Sequence, residues 1–455
     1  MPALLALLAL TLAACGATPG TPPSAEAPPP PSDASGPVVR ADTTLPRALA
    51  TRAVDETPIV IRLADLPEPY ASESASRGPN VIAPPASPVL NVPPGFAVQL
   101  WADGLDAPRW LATTPDGAVL VVASRENRIL RLADANGDGV AEARAVLADR
   151  RDGLDLPMGV AFGDADTSGA ADLFVGNTSE VRRYRYRPEQ PINGPGERVT
   201  DLPGRGYNQH WTRNVVRHGD SLYVTVGSQS NVDPEPLPRA SVFRMALDGS
   251  GRETVSFGLR NPVGLAFHPA TGAPYTTVNE RDRLGDDLVP DYLTRIGFED
   301  TPRGPKPRFF GWPYAYLAPD RLDPRRTDRR GTSEQPALAA RTTTPDVLFQ
   351  AHSAALGLDF VPLDAGWPAR YRGGAVVAMR GSWNRSAGTG YKLVFVPFRD
   401  GRPTGAYQDL VTGFLVDPSG PTAWARPVGV LALPDGSVLF TDEANGRVYR
   451  LSYVG

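Results

Sequence analysis

Arg260 and Asn261 stand at the entrance of a short apolar run, and Asp282, Asp286 and Asp287 stand at the exit of the next one, all within GLRNPVGLAFHPATGAPYTTVNERDRLGDDLVPD, residues 258–291. A hairpin needs the apolar runs and the turns between them. It needs neither the cation nor the carboxylates. Guanidinium and carboxylate groups at opposite ends of paired strands would hold an anionic ligand and a metal side by side. The plainer reading is a solvated loop. A second chemistry-bearing stretch is NQHWTRN, residues 208–214, where His210 precedes another apolar run. The chain has only four histidines. An imidazole of ordinary pKa, about 6.5, is a base at neutral pH. His352, in AHSAALGLDF, opens a further such run. His218 and His268 fall in turns between strands and are expected at the surface.

Positioning these groups is the work of a repeat. Each unit has a turn ending in Pro, an apolar strand, a Pro/Asp/Gly turn, a second apolar strand, a polar loop and a third strand ending in Arg or an aromatic. Copies begin near residues 107, 156, 210, 258, 356 and 426. The strands alternate or are continuously apolar, and no sustained helical period appears. Six four-strand units predict an all-β, six-bladed β-propeller, whose closed ring leaves no open sheet edge. The first strand of each blade lines the channel. His210, Arg260 with Asn261, and Arg426 would then converge from three blades. The Pro- and Arg-rich interval between Arg295 and Gln350 is too long for a turn and is expected as an insertion near the channel mouth.

Composition narrows the function. The 455 residues carry a net charge of -4, which argues against nucleic acid and against a polybasic membrane patch. The basic residues are nearly all Arg, with lysine only at 306 and 392. A site that uses Lys elsewhere would use Arg here. Cys15 is the sole cysteine, so one chain forms neither a disulfide nor a cysteine metal centre. Residues 1–14 are an apolar run, and Leu12-Ala13-Ala14-Cys15 resembles a bacterial lipobox. Read so, Cys15 is lipidated and anchors the chain to the cell envelope, facing the periplasm or the exterior. Residues 15–50 form a Pro/Ala-rich disordered tether, 51–91 an N-terminal extension and 92–455 the propeller. Asp134-Ala135-Asn136-Gly137-Asp138-Gly139 resembles half of a calcium loop, but Ala145 stands where an EF-hand needs Glu, so a polar hairpin loop is expected.

The ordered motifs NQHWTRN, LYVTVGSQSN, GLRNPVGLAF, TVNERDRLGDDLVPDYLT, FFGWPY, RGSWNRSAGTGYKLVFVPF and RPVGV resemble the L-sorbosone dehydrogenase branch of the pyrroloquinoline quinone (PQQ)-dependent soluble glucose/aldose sugar dehydrogenase family. The resemblance spans roughly residues 92–455 and implies PQQ and calcium (Ca2+) over the channel mouth. It makes His210 the base and Arg260 the group that stabilises charge on the reduced quinone. Asn261, Arg380 and Arg426 become cofactor contacts, with Arg380 replacing a lysine. Backbone carbonyls of Asp282 and Arg283 would hold calcium. Gln209, where relatives are acidic, and His352 face the sugar substrate. Val428 replaces a second cofactor arginine, and Leu154 to Leu156 offer no amide where a glutamine is expected. These losses favour the competing reading, a propeller that binds carbohydrate or protein without redox chemistry. A calcium-dependent lactonase would want more Asp, Asn or Glu in the channel. The electron acceptor is not legible.

Overall fold

Second strands show most directly why this sequence makes blades. Val119–Ala123, Ala375–Met379 and Val438–Asp442 are buried at every position. A strand covered on both faces reads as a continuous apolar run. The fourth strands are different: Glu197–Asp201 and most of Ala143–Ala148 face solvent. The pattern changes outward across each sheet because each blade is sandwiched at its middle and free at its rim.

A computed structural model describes residues 45–204 and 210–455. It is the expected six-bladed propeller. Blades one to five follow one another along the chain, with inner strands Trp110–Thr113, Val160–Phe162, Val215–His218, Asn261–Phe267 and Ala355–Phe360. Blade six runs from inner strand Pro427–Ala432 through Val438–Asp442 and Arg447–Tyr453. Its fourth strand is Phe96–Ala102, which pairs antiparallel with Arg447–Tyr453 and closes the ring. The inner strands touch their neighbours all the way round. The cores lie between blades. Trp101, Leu439 and Val448 of blade six pack on Leu111, Val119 and Val121 of blade one. Phe174 and Val181 of blade two pack on Leu222 and Val224 of blade three.

The long interval after Arg295 is indeed an insertion before the last strand of blade four, Val347–Leu348. Its strand Lys306–Phe309 adds in parallel to the outer strand of blade three. Leu45 and Leu49, within the stretch read as tether, are buried against Phe96, Phe395 and Phe414. Ala50–Ala53 pairs in parallel with Val89–Val92. The extension then crosses the mouth of the propeller. Tyr70 N donates to the Leu284 carbonyl, Arg77 N to the Trp383 carbonyl, and Asn80–Val81 pairs with Thr422–Ala423. Cys15 and Gln209 lie outside the described residues.

Candidate active site

One cavity at the channel mouth collects groups from blades one, three, four and five. Arg109, His210, Arg260, Asn261, Asp282, His352 and Arg380 line it, with Trp211 and Trp383 beside them and Val263 and Leu356 among the apolar wall. Most arrive just before or after a strand. Arg109 precedes the inner strand of blade one, Asn261 begins that of blade four, and Arg380 follows the second strand of blade five. The repeat therefore aims unrelated stretches of sequence at one point.

His210 is oriented as a base. Its Nδ1 lies 3.0 Å from both the Ser228 carbonyl and the Ser228 hydroxyl oxygen. That hydroxyl donates its own proton to the Ser230 carbonyl at 2.7 Å, so both partners of Nδ1 accept. Nδ1 must carry the hydrogen, which leaves the lone pair on Nε2. Burial and the neighbouring Arg260 guanidinium push the imidazole pKa down to about 3, so the ring is neutral.

Arg260 is held by its frame. It donates from Nε to the Asn231 carbonyl at 3.2 Å, and from Nη1 to the Glu280 carbonyl at 2.6 Å. Nη2 donates to Asn231 Oδ1 at 2.9 Å and to Asp282 Oδ2 at 2.7 Å. These bonds use both Nη2 hydrogens and one of the two on Nη1. The second Nη1 hydrogen is left for a ligand oxygen. Asn261 Oδ1 is buried without a hydrogen-bond partner, an orphaned acceptor at the same wall. Burial alone would raise the Asp282 carboxyl, but Arg260 and His352 hold it down at about 2. Burial pushes Glu280 up to about 7 and Asp291 to about 6.

Some expected residues are already engaged by neighbouring protein groups. His352 lines the cavity, but its Nε2 faces the Gly285 carbonyl at 3.0 Å and its Nδ1 lies 3.7 Å from Asp282 Oδ1. Both ring nitrogens face acceptors. Although burial opposes the charge, Asp282 and Gly285 raise its pKa. Arg426 is not among the cavity's lining groups. It lines an adjoining cleft with Arg125 and Glu126, and its Nη1 lies 3.8 Å from Glu443. Glu443 stands between, pairing with Arg109 through one oxygen and with Arg380 through the other. The Asp282 carbonyl already accepts from Asn231 Nδ2 and Arg281 Nη1, each at 3.1 Å. A metal there has to displace a guanidinium or an amide. Arg283 is not a lining residue; its N–H donates to Asn384 Oδ1 at 2.8 Å.

His268 departs from the surface position expected of it. It is buried, packed on Phe360 and Phe398, because its turn tucks under blade five. His218 is exposed and stacks on Phe267. In the Asp134–Asp138 loop, Arg47 pairs with Asp138 at 2.7 Å, and Asp134 accepts from the Asp138 and Gly139 amides. The loop is tied by its own carboxylates, and Asp134, Asp138 and Glu142 also offer oxygens within 4.8 Å of one another.

Sequence reasoning missed Arg109, Asn231, Glu280 and Glu443. Arg109 carried a signal, since APRW has the same place before an inner strand as LRNP and ARPV. Blades two and six contribute none of the lining residues. There Leu154 and Val428 are buried with Val263 and Leu356 in one apolar cluster, so that side of the channel is closed to polar contact.

The same fold recurs in known proteins. A protein of Borreliella burgdorferi without an assigned activity is 26% identical over 80% of this chain and 91% of its own length. The pyrroloquinoline quinone-dependent pyranose dehydrogenase of Coprinopsis cinerea is 25% identical over 79% of this chain, which spans about half, 54%, of that enzyme. Its PQQ domain in holo form superposes with a TM-score of 0.63 at 22% identity, covering 82% of this chain and 99% of that domain. The calcium structure of the Trichoderma reesei family AA12 carbohydrate-active enzyme superposes with a TM-score of 0.65 at 20% identity, covering 82% and 98%. At these identities the superpositions establish a shared fold. The TrAA12-like family model matches residues 90–454, the whole ring from its closing strand to its last, and the chain belongs to that family.

Proposed function

We propose that this chain is an oxidoreductase that uses pyrroloquinoline quinone to oxidise a sugar: an aldose, a related pyranose or a sorbosone-like aldehyde as its hydrate. The observation that carries the reading is the bare Nε2 of His210 in a cavity walled by Arg109, Arg260 and Arg380. The residues present fit the cofactor. A planar polycarboxylate suits the positive charge of guanidinium groups from three blades, Arg109 and Arg380 sharing Glu443 and Arg260 offering one N–H, and the unpartnered Asn261 Oδ1 leaves a polar contact to be filled. Bound there, the quinone supplies the two-electron acceptor that takes hydride from the substrate carbon. His210 takes the hydroxyl proton at Nε2. Arg260 directs its remaining N–H at negative charge developing on an oxygen in the cavity. Trp211, with the Arg109 guanidinium 5.0 Å from its ring centre, helps to wall the site from water.

The sorbosone branch rests on the motif order alone. Calcium at the Asp282–Arg283 backbone is part of the proposal, and since that carbonyl is engaged, calcium should bind weakly without the quinone. Lipidation at Cys15 and placement in the cell envelope are proposed too, on the lipobox-like run.

The decisive experiment adds the quinone and calcium to the purified protein and titrates sugars with an artificial electron acceptor. Acceptor reduction by a sugar supports the reading. Absence of both quinone binding and reduction would sink it in favour of a non-catalytic binding propeller. In His210→Ala, turnover should fall by about 10²-fold or more while the quinone stays bound; full activity would remove the base assignment.

A further inference from the structure

The proposed base stands on a segment that is held from behind. Arg213 is fully buried, and its guanidinium folds back along its own chain. Nη1 donates to the carbonyls of His210 at 2.7 Å and Thr212 at 2.8 Å, and Nη2 to the carbonyl of Pro203 at 3.0 Å. All three acceptors are backbone carbonyls, which makes these charge-assisted bonds to main chain rather than a side-chain ion pair. Pro203 and His210 lie on either side of residues 205–209. Arg239 works alongside, with Nη2 donating to the Gly204 carbonyl at 2.7 Å.

His210 has φ +51°, a left-handed backbone conformation that L-residues avoid. Something must hold it there. The rest of the segment cannot yield to relieve it. Gly159 N donates to the Arg213 carbonyl at 3.0 Å, and Asn214 Nδ2 donates to the Val263 carbonyl at 3.0 Å. A Cβ at Gly176 would stand 2.5 Å from the Arg213 carbonyl oxygen, so blade two lies directly against this strand entrance. With its C-terminal side pinned to blades two and four, His210 can still rotate its own peptide unless the carbonyl is held. The Arg213 bond to the His210 carbonyl removes that freedom.

We infer that Arg213 is a positioning residue for the base: its guanidinium locks the His210 peptide in the conformation from which the imidazole reaches Ser228 and turns Nε2 into the cavity. Arg213 touches neither substrate nor cofactor, and it acts through His210. The inference rests on the reading of His210 as the base. A lysine at 213 has one ammonium group and cannot bridge three carbonyls in a fixed plane. Methionine keeps much of the volume and none of the donors.

The test uses the intact chain labelled with ¹⁵N-histidine and without cofactor, alongside the quinone-loaded protein. With four histidines in the chain, the His210 signals are identified by their loss in His210→Ala. The wild type should show a single tautomer with the proton on Nδ1. Arg213→Met should show a mixture of tautomers at His210. Its kcat should fall by roughly 10²-fold, with the quinone dissociation constant within about twofold of wild type. Arg213→Lys should fall between. A folded variant that keeps the wild-type tautomer and kcat would overturn the inference. So would equal losses in kcat and quinone affinity, or failure of both variants to fold, since each assigns Arg213 to the fold alone. A wild type with the Nδ1 tautomer but no quinone binding would defeat the sugar-oxidation reading and leave the orientation of His210 by Arg213 standing.

Discussion

Gly227 shows how tightly the site is built. A Cβ there would lie 2.4 Å from Asn261 Oδ1 and 2.6 Å from His210 Cβ. Gly227→Ala should therefore push the base and its neighbour apart and cost about 10²-fold in kcat, with the fold intact by circular dichroism. Wild-type kinetics in that variant would mean the two side chains tolerate displacement. The His210 pKa of about 3 has a consequence of known sign. A lowered imidazole pKa keeps the base unprotonated as pH falls through ~6.5, where a free imidazole would begin to charge. The acid limb of kcat/KM should thus lie well below that value. Arg260→Met removes one of the two main causes and should move the limb upward, measured on whatever activity remains. His210, Arg260 and Asn261 were legible because each stands where a repeat enters the channel. Arg426 stands in the same place along its repeat, but its side chain lines the adjoining cleft. Sequence cannot tell on which side of the Glu443 carboxylate a guanidinium will settle.

At the scale of elements, the insertion after Arg295 supports the site rather than covering a rim. Arg281 and Asp323 form an ion pair at 2.7 Å with both side chains almost fully buried. Trp312 Nε1 donates to the Asn231 carbonyl at 2.8 Å, directly behind Arg260. Asp323→Ala strands a buried cation and should cost about 3–5 kcal/mol in urea unfolding. It should also weaken quinone binding, because Arg281 adjoins Asp282; unchanged stability would show that the pair is replaced by water. The blades were legible because a second strand covered on both faces is unmistakably apolar. The last strand of blade four was not, since Val347–Leu348 is two residues long and stands after the insertion. The tether was read as disordered as far as residue 50, yet Leu45 and Leu49 are core residues. Two leucines in a Pro-rich stretch carry no period by which to recognise them.

Over the whole molecule, the extension ties together loops that the ring alone leaves independent. Arg77 reaches Trp383, Ser386 and Ser419, and Asn384 bridges the Ala75 carbonyl to the Arg283 amide. Deleting residues 1–78 should speed hydrogen exchange in residues 282–287 and 382–386 and leave the second strands of the blades protected. Equal exchange before and after deletion would make the crossing segment incidental to the mouth. The pairing of Phe96–Ala102 with Arg447–Tyr453 reaches further. These strands are separated by about 350 residues, a long loop whose closure is entropically costly and intrinsically slow. Arg109, His210, Arg260 and Arg380 all precede Arg447. A chain lacking only its final strand would hold every one of those groups and no closed ring to converge them. Loss of this one pairing would therefore scatter the groups at the mouth without altering any of them.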